Sequence, residues 1–371
     1  MRAKVLIATN TTWNLVNFRS NLIRALLDLG CEVVAVAPPD EYSERLSRIG
    51  CRYLPLQMDN SGIHPGRDLL LLWRFYRVFR CERPDVYLGY TIKPNVYGSL
   101  AAHALGITVI NNIAGLGAVF IRGGWLSLLV RGLYRVSLSQ SKKVFFQNED
   151  DRNLFVSGQL VNSAMTDQIP GSGVDLQKFS LFSFSGRSTI RFLLIARMLW
   201  DKGVAEFVEA ARILKSRGVD AEFCLIGFLG VKNPAAISRK QMEEWVAEGF
   251  VQYLGETDDI RPFIVEADCV VLPSYREGVP RSLLEAAAMG RPIVTTAVVG
   301  CREVVDDGVN GYVCRARDAA DLAEKLMRVV ALTPEERIAM GLRGRARVET
   351  LFDERIVIKK YLETIDEVLR G

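Results

Sequence analysis

Short apolar runs, each followed by a turn and a helix-period segment, most constrain the fold of this 371-residue chain. The runs lack polar alternation, which is typical of strands buried on both faces of a parallel sheet. In the first half they read VLIAT, EVVAVA, DVYLG, ITVIN and KVFFQ, and in the second RFLLIA, EFCLIG, FVQYLG, CVVLP and PIVTT. Because helical segments such as FRSNLIRALLDLG separate them, the sequence predicts an α/β protein with two doubly wound parallel sheets.

The segment IPGSGVDLQKFSLFSFSGRS marks the predicted domain boundary, because it is rich in glycine and serine and lacks a helical period. We therefore predict a first domain over 1–170 and a second over 171–352. The last helix, 353–371, has apolar positions at helical spacing and is predicted to pack back on the first domain. Ligands of such sheets bind at the carboxyl ends of the strands, so we expect a cleft between the two domains.

Composition excludes several classes of protein. A hydrophobic content of 49% with 24% charged residues is not that of a disordered or fibrous chain. No stretch approaches the roughly 18 apolar residues of a membrane-spanning helix, and the start MRAKVLIATN is predicted to be a strand. The seven cysteines, an odd number with no C-x-x-C pair, are predicted to be reduced thiols in small buried positions of a cytoplasmic protein.

Charge is distributed unevenly along the chain. Residues 1–170 carry a net charge of +6, whereas the remainder carries −2. No acidic residue occurs between Asp85 and Glu149. Six basic residues fall in that interval: Lys93, Arg122, Arg131, Arg135, Lys142 and Lys143. This pattern indicates an anionic partner for the first half of the chain, and we predict no nucleic-acid partner.

Two glutamates flank the start of one helix in PSYREGVPRSLLEAAAMGRP. Pro280 and Gly290 predict a helix over 280–289, with Glu277 before it and Glu285 inside it. The two carboxylates are then expected to lie more than about 10 Å apart, too far for the acid and nucleophile pair of a hydrolase. They could instead contact two ends of one long ligand, with an anion at the helix N-terminus between them. The alternative is an exposed helix with scattered glutamates.

Two cations, Arg197 and Lys202, follow the first strand of the second domain and precede a helix. Such a pair can neutralise the charge of a departing diphosphate, although a solvated basic turn is the alternative. The sequence has no D-x-D triplet and only two histidines, so a metal ion has no evident ligands. We therefore predict that no metal and no cofactor are required, which makes the two cations more necessary.

Four segments together resemble family 4 of the retaining glycosyltransferases: ARMLWDKGVAEFVEAA, GSGVDLQKF, YLGETDDI and PSYREGVPRSLLEAAAMGRPIVTT. The resemblance covers nearly the whole chain and implies the GT-B fold, two Rossmann-like domains that face a cleft. In the first half, WNLVNFRSNL, TIKPNVYGSLAA and NNIAGLGAVF resemble the bacterial branch of the family. Members of that branch add hexoses or N-acetylhexosamines to polyprenyl-diphosphate-linked sugars.

The resemblance implies a nucleotide-sugar donor site in the second domain. Arg197 and Lys202 are expected to hold the donor diphosphate, and Glu277 the donor sugar; these three are the expected catalytic residues. Glu285 is expected to accept hydrogen bonds from the ribose hydroxyls. Further donor contacts are expected from the backbone of Gly278, Val279 and Pro280, and on either side of the base from Gly227 and Leu254.

The first domain departs from the family pattern at two places. Relatives carry a glycine-rich turn after the first strand, whereas this chain has TNTTWNLVNF, where Thr11 and Asn14 are expected to stand in. Relatives also have a histidine in the loop after the fourth strand, which here reads NNIAGLG. We expect Asn111 and Asn112 to supply polar groups at the reacting centre or acceptor site, and His103 to be structural.

These features predict a metal-independent, retaining transfer of a hexose or N-acetylhexosamine from a UDP-linked donor of the GalNAc or GlcNAc type. The expected acceptor is a polyprenyl-diphosphate-linked saccharide in surface polysaccharide or glycan assembly. Retention without a protein nucleophile implies front-face substitution, in which positioning and charge stabilisation replace a general base. The alternatives are a nucleotide-sugar 2-epimerase of the same fold and a non-catalytic nucleotide-sugar-binding protein.

Two segments of the first domain, GRDLLLLWRFYRVFRCERP and AVFIRGGWLSLLVRGLYRVSLSQSKK, combine basic and aromatic residues at helical spacing. Such helices are typical of membrane interfaces, so we predict a cytoplasmic, peripheral enzyme on the anionic inner face of the plasma membrane. The alternative is that these helices only cover the sheet. The residues on which the prediction depends are Trp73, Arg74, Phe75, Arg77, Phe79, Arg80, Arg122, Trp125, Leu126, Leu129, Val130, Arg131, Arg135, Lys142 and Lys143.

Overall fold

The computed structural model describes residues 3–59, 62, 64–115, 125–183 and 189–370. The chain forms two compact units, and the boundary between them falls after Ser172. Unit 1 comprises Met1–Ser172 together with Arg355–Gly371, and unit 2 comprises Gly173–Glu354. Each unit contains one parallel sheet with helices packed against it.

Unit 1 is built on a seven-stranded sheet in the order β3-β2-β1-β4-β5-β6-β7, in which every neighbouring pair is parallel. Successive strands are added on one side of β1 and then, from β4 onward, on the other. The topological switch point therefore lies between β1 and β4, where ligands of open α/β sheets bind. The strands are β1 Lys4–Ala8, β2 Glu32–Ala37, β3 Arg52–Pro55, β4 Val86–Tyr90, β5 Thr108–Ile113, β6 Lys143–Phe146 and β7 Thr166–Gln168.

Helices connect successive strands of this sheet, because each crossover between parallel strands needs a covering element. A π-helical turn, Pro94–Gly98, precedes α5, and a short 3₁₀ turn, Ser163–Met165, precedes β7. The helices are α1 Thr12–Phe18, α2 Ser20–Asp28, α3 Ser43–Ile49, α4 Pro65–Glu82, α5 Ser99–His103, α6 Trp125–Leu138 and α7 Glu149–Ser157.

Unit 2 has a six-stranded sheet in the order β10-β9-β8-β11-β12-β13, again parallel throughout. Its switch point lies between β8 and β11. The strands are β8 Ile190–Ile195, β9 Ala221–Ile226, β10 Gln252–Tyr253, β11 Cys269–Leu272, β12 Ile293–Thr296 and β13 Gly311–Cys314. The helices are α8 Val204–Ser216, α9 Arg239–Ala247, α10 Arg261–Val265, α11 Arg281–Ala288, α12 Ala319–Ala331 and α13 Pro334–Leu351. A 3₁₀ turn, Trp200–Lys202, precedes α8.

The last helix, α14 (Glu354–Arg370), belongs to unit 1 from Arg355 onward. Its Val357, Tyr361 and Ile365 are buried in the same apolar cluster as side chains of β1, β2 and β4. Burying a large apolar side chain stabilises a fold by about 1.5–3 kcal/mol, so these residues complete the core of unit 1. The Lys360 ammonium group adds an ion pair with Asp167, at 3.0 Å.

The ten predicted apolar runs all form strands, but the prediction was wrong in omitting three strands at sheet edges. β3 and β7 are the two edges of the first sheet, and β13 is one edge of the second. β13, Gly-Tyr-Val-Cys, is apolar and packs on both faces, so its run was overlooked. β3 and β7 are only partly buried and carry polar side chains, so neither shows a continuous apolar run. The sequence of β7, Thr-Asp-Gln, shows this directly.

Two smaller predictions also need correction. The helix predicted over 280–289 runs over Arg281–Ala288, and Pro280 takes the N-cap position rather than the first turn. All seven cysteines are free thiols, but Cys81 is exposed and Cys31 is only half-buried. Within the described parts of the chain, no helix combines the length and the apolar character needed to cross a membrane.

Candidate functional site

The loops that follow β8 and β11 are locked together at the switch point of unit 2. Gly203 has a φ of +73°, and a Cβ atom there would overlap the carbonyl oxygen of Pro273, so only glycine fits. The carbonyl oxygen of Asp201 accepts hydrogen bonds from the Ser274 hydroxyl at 3.1 Å and from the Tyr275 amide at 2.9 Å. These contacts hold the two loops together just before Lys202 and Glu277.

Lys202 and Glu277 form an ion pair there, with 2.5 Å between Nζ and Oε1. Their side chains are only 16% and 14% exposed, so the pair is less screened by water than a surface pair. The Glu277 amide donates to the Val299 carbonyl at 3.0 Å, and Gly300 packs where any Cβ would overlap the Glu277 carbonyl. An ammonium has three donors and a carboxylate two acceptor oxygens, so the pair can also bind an anion and a hydroxyl.

Glu285 lies on α11, one turn beyond Arg281, whose Nε donates to Glu285 Oε1 at 2.9 Å. Burial raises the pKa of the Glu285 carboxyl, and the positive charges of Arg281 and Lys178 oppose this rise. A buried carboxylate is stabilised by additional hydrogen-bond donors. Glu285 is therefore suited to accept hydrogen bonds from the hydroxyls of a ligand.

The predicted donor-site residues follow four neighbouring strands of unit 2. Leu254 comes directly after β10, Gly227 after β9, Arg197 in the loop after β8, and Glu277 in the loop after β11. Because all strands are parallel, these residues lie in that order along the carboxyl edge of the sheet. Arg197 is exposed and forms no ion pair with any residue that the structure describes.

Gly227 holds two of these loops in contact. Its φ is +139°, and an added Cβ would overlap the carbonyl oxygen of Ala196. Its amide donates to the Gly255 carbonyl at 2.9 Å, and its own carbonyl accepts from the Tyr253 hydroxyl at 2.8 Å. The backbone at this point is therefore fixed on both sides.

The structure places the predicted residues Thr11 and Asn14 after β1 of unit 1, Thr11 as the N-cap of α1 and Asn14 in its first turn. The Thr11 hydroxyl caps α1 by accepting from the Asn14 amide at 3.1 Å. Asp40 accepts from the Thr12 amide at 2.9 Å and also from the Thr12 hydroxyl. The start of α1 is thus already satisfied by a side-chain hydroxyl and a carboxylate.

The side chain of Asn111, expected at the reacting centre or acceptor site, makes its hydrogen bonds to other residues inside unit 1. It is fully buried, and its Nδ2 donates to Asn95 Oδ1 at 2.9 Å and to the Ser99 hydroxyl at 2.8 Å. Its Oδ1 accepts from the Ser141 hydroxyl at 2.6 Å. These three hydrogen bonds make Asn111 an interior crosslink of unit 1. Asn112 differs, because it donates to the Tyr361 hydroxyl at 2.9 Å while its Oδ1 has no partner among the described residues.

His103 has a structural environment. Its Nε2 donates to the Ser137 carbonyl at 2.9 Å, which ties α5 to α6, and burial lowers the pKa of its ring. No group of three or more histidine, cysteine, aspartate or glutamate side chains within the described ranges could hold a metal ion.

The predicted interfacial residues of α4 divide into two sets. Phe75 and Phe79 were expected at a membrane surface, but both are fully buried against Tyr87. Leu69 and Trp73 are 68% and 51% exposed, and the Arg77 guanidinium lies 4.8 Å from the centre of the Trp73 ring. An apolar groove of about 730 Å³ lies between α4 and α5, lined by Gly66, Leu69, Leu70, Leu72, Trp73, Tyr76, Leu100, Ala101 and Ala104.

The predicted interfacial residues of α6 are divided in a similar way. Val130 is buried, contrary to expectation, whereas Leu129 is exposed and so are Leu128 and Val136. Arg122 lies outside the described residues, and the side chains of Trp125 and Leu126 do too. Arg135 and Lys142 are exposed. The helix thus keeps apolar side chains in solvent next to basic ones.

Sequence reasoning missed several residues that shape these sites. Gly203 follows Lys202 directly before a helix, a position where a required glycine could have been suspected. Tyr361 gave no local signal, because it reaches Asn112 across 249 residues of sequence. Arg19, in the quoted segment WNLVNFRSNL, is buried although nothing in its neighbourhood predicts this.

The chain has two doubly wound parallel units, with charged side chains along the carboxyl edge of the second sheet. This is the architecture of GT-B glycosyltransferases. A family model described as "Glycosyl transferase 4-like domain" matches residues 17–170, and one described as "Glycosyl transferases group 1" matches residues 189–331. The chain is 31% identical to the N,N'-diacetylbacillosaminyl-diphospho-undecaprenol alpha-1,3-N-acetylgalactosaminyltransferase of Campylobacter jejuni, over 96% of each chain. It therefore belongs to glycosyltransferase family 4.

Other similarities agree with this membership. The UDP-Gal:alpha-D-GlcNAc-diphosphoundecaprenol alpha-1,3-galactosyltransferase of Escherichia coli is 22% identical, over 71% of this chain and 70% of its own. The crystal structure of Anabaena Alr3699/HepE in complex with UDP-glucose superposes with a TM-score of 0.79 at 16% identity. That alignment covers 98% of this chain and 99% of the other, and it shows the shared GT-B fold.

Proposed function

We propose that this glycosyltransferase moves a hexose or N-acetylhexosamine, with retention of configuration, from a UDP-linked donor to a polyprenyl-diphosphate-linked saccharide. The observation that best supports this function is the half-buried Lys202–Glu277 pair. It lies at the switch point of unit 2, with Glu285 on the following helix. The names of two relatives support the choice of acceptor, since both act on sugars linked to diphospho-undecaprenol. Surface polysaccharide or glycan assembly is the process in which such acceptors are used.

The order of residues along the sheet edge supports the proposed donor position. The base would lie beside Leu254 and Gly227, at the ends of β10 and β9. The diphosphate would lie against Arg197 and Lys202, after β8, and the sugar against Glu277, after β11. This sequence of contacts matches the chemical sequence of a nucleotide sugar, from an apolar base through an anion to a polyol.

The start of α11 would contribute to the same site. Gly278, Val279 and the N-cap Pro280 lead into the helix, whose N-terminus favours an anion. Glu285, with its buried carboxylate, would accept hydrogen bonds from the ribose hydroxyls. Arg281 holds this carboxylate in place through the 2.9 Å hydrogen bond.

The proposed mechanism is front-face substitution. The bond between the anomeric carbon and the β-phosphate oxygen breaks, and the acceptor hydroxyl oxygen bonds to that carbon on the same face. The acceptor proton passes to the departing phosphate oxygen, so that UDP leaves and no protein base is required. Lys202 and Arg197 stabilise the charge that grows on the diphosphate, and we propose that no metal is needed for this purpose.

The first unit would face the acceptor and an anionic membrane surface. Exposed Leu69, Leu70 and Trp73 on α4 lie beside Arg77, and α6 repeats the combination with Leu128 and Arg135. Apolar side chains can enter the headgroup region while basic ones pair with anionic lipids, each adding about 1 kcal/mol. Charge complementarity thus favours an anionic bilayer as the occupant of this surface.

An assay with several UDP-sugars, with and without a polyprenyl-diphosphate saccharide, tests the proposed function. A transferase releases UDP and extends the lipid only when the acceptor is present, and proton NMR of the product then gives the anomeric configuration. Conversion of the donor sugar without acceptor would instead identify a 2-epimerase. Binding of UDP-sugar with neither reaction would identify a non-catalytic binding protein.

A further inference from the structure

A buried arginine with no carboxylate partner among the described residues lies at the switch point of unit 1. Arg19, between α1 and α2, is only 4% exposed. Its guanidinium carbon lies 4.2 Å from the centre of the Tyr90 ring, and its Nη1 donates to the Phe18 carbonyl at 3.2 Å. In the part of the chain that the structure describes, its Nε has no hydrogen-bond partner and no carboxylate pairs with it. A charge buried in this way destabilises a fold unless something pairs with it.

Other buried polar atoms without partners lie on the same edge of the sheet. Thr91 follows Tyr90 at the end of β4, and Asn112 stands opposite Tyr90 on β5. Neither the Thr91 hydroxyl nor Asn112 Oδ1 has a hydrogen-bond partner in the described part of the chain, and Asn14 Oδ1, after β1, has none either. Buried polar atoms are almost always hydrogen-bonded in folded proteins, so several together need an explanation.

The backbone at Thr91 is strained as well. Its φ is +65°, in the left-handed region that a β-branched residue rarely adopts. Such strain tends to persist at sites that clamp a ligand. β1, β4 and β5 are neighbours in the sheet, so the four residues lie along the edge where ligands of open α/β sheets bind.

We propose that Arg19, Thr91, Asn112 and Asn14 form a subsite for a sugar diphosphate in unit 1. The proposal rests on the proposed function only for the source of that ligand. A guanidinium binds phosphate oxygens through paired N–H donors, and the Thr91 hydroxyl adds a further donor. The two amide oxygens are acceptors, which suit the hydroxyls of an attached sugar and not a phosphate. The lipid-linked acceptor and the nucleotide donor both contain this chemistry.

Substitution of Arg19 separates this role from a structural one. Arg19→Met keeps most of the apolar stem but removes the charge and all donors, and Arg19→Lys keeps the charge without the paired geometry. If the guanidinium binds a sugar diphosphate, Arg19→Met raises the KM for one substrate by at least about tenfold, and Arg19→Lys raises it less. The melting temperature of Arg19→Met should not fall, because an unpaired buried charge has been removed. Arg24→Gln, which removes an exposed arginine of the following helix α2, is the matched control.

Varying each substrate at saturation of the other identifies the source of the diphosphate. A higher KM for a short-chain polyprenyl-diphosphate saccharide assigns the subsite to the acceptor, and a higher KM for the UDP-sugar assigns it to the donor. Unchanged values for both substrates in a folded variant would overturn the proposal. Thr91→Gly guards against a failure of Arg19 variants to fold. Glycine adopts the positive φ at position 91 without strain, so this variant should have a higher melting temperature. Because it also loses the hydroxyl donor, it should raise the KM for the substrate that Arg19→Met affects.

A binding measurement keeps this test independent of catalysis. Inorganic pyrophosphate is titrated calorimetrically into Lys202→Ala, which lacks the main cation of the proposed donor site, and into Lys202→Ala with Arg19→Met. We expect binding to the first protein and at least about tenfold weaker binding to the second. Equal binding to both, or binding to neither, contradicts an anion subsite at Arg19. Pyrophosphate binding that depends on Arg19, without sugar transfer, would leave the subsite intact and refute the proposed function.

Discussion

The carboxyl edges of the two sheets differ in how their buried charged side chains are paired. In unit 2, the acidic side chains of the candidate site each have a basic partner, Lys202 for Glu277 and Arg281 for Glu285. In unit 1, Arg19 is buried against an aromatic ring without a carboxylate in the described residues. Two sheets of the same doubly wound type therefore present different surfaces to a ligand.

This difference separates two ways of preparing a binding site. Paired charges are stable by themselves and offer both donors and acceptors, so they suit a ligand that has an anion and hydroxyls close together. A lone buried cation is unfavourable by itself, so it selects strongly for an anion. Experiments on each edge test this difference.

The largest effect is expected from breaking the pair in unit 2. Lys202→Ala leaves the Glu277 carboxylate partly buried without its partner and removes a donor from the growing diphosphate charge. The kcat/KM for the donor should fall about 10²–10³-fold, the loss typical of one preorganised donor. Steady-state kinetics at subsaturating donor measure it, with exposed Lys240→Ala as the control. Near wild-type turnover would show that the donor diphosphate lies elsewhere.

A smaller effect is expected at the surface of unit 1, where exposed basic residues would contact anionic lipid. Arg77→Gln removes one exposed cation next to Trp73 and should weaken binding to anionic vesicles about fivefold, as one basic residue near such a surface does. Co-sedimentation at low and high salt measures it, and Arg239→Gln in unit 2 is the control. Equal binding of the wild-type protein to neutral and anionic vesicles would exclude electrostatic docking.

Stability should respond to pH through Glu285. Its pKa is raised by burial, so its ionised form disfavours folding, and stability falls as pH rises from the usual glutamate pKa through the raised one. Glu285→Gln keeps an acceptor for Arg281 but does not titrate. The variant and the wild type should melt alike below that window, and the variant should melt higher above it. Melting curves at several pH values test this, and a difference that grows towards acid pH would refute it.

No effect is expected from removing divalent metal ions. Lys202 and Arg197 supply the positive charge for the diphosphate in the proposed mechanism, so exhaustive treatment with EDTA should leave the transfer rate unchanged. The rate before and after chelation, and after adding magnesium or manganese back, decides the matter. A loss that either ion restores would show that paired side-chain charges do not suffice in unit 2.

Much of the fold followed from local patterns, because a strand buried on both faces must be apolar along its length. The same reason explains why β3 and β7 were missed, since both are only partly buried and carry polar residues. The donor residues were also predictable, because they follow apolar runs directly and parallel strands bring their carboxyl ends to one edge. Whether they bind the donor remains a prediction.

The remaining features depend on contacts between distant parts of the chain. Asn111 resembles a site residue in sequence, but three interior partners from different segments use its hydrogen-bonding groups. Arg19 resembles a surface residue of an amphipathic helix, yet Tyr90 covers it. Burial of a polar side chain is decided by what packs over it, and its own neighbours in sequence do not encode this.

The return of α14 to unit 1 has a consequence for biosynthesis. A ribosome releases all of unit 2 before it releases Tyr361 and Ile365, which fill the core of unit 1. Unit 2 is one continuous segment of sequence, whereas unit 1 consists of two. Unit 2 can therefore finish folding first, while part of the apolar core of unit 1 is still uncovered. A nascent chain of this enzyme is therefore most exposed to aggregation or proteolysis through unit 1, until Tyr361 and Ile365 emerge.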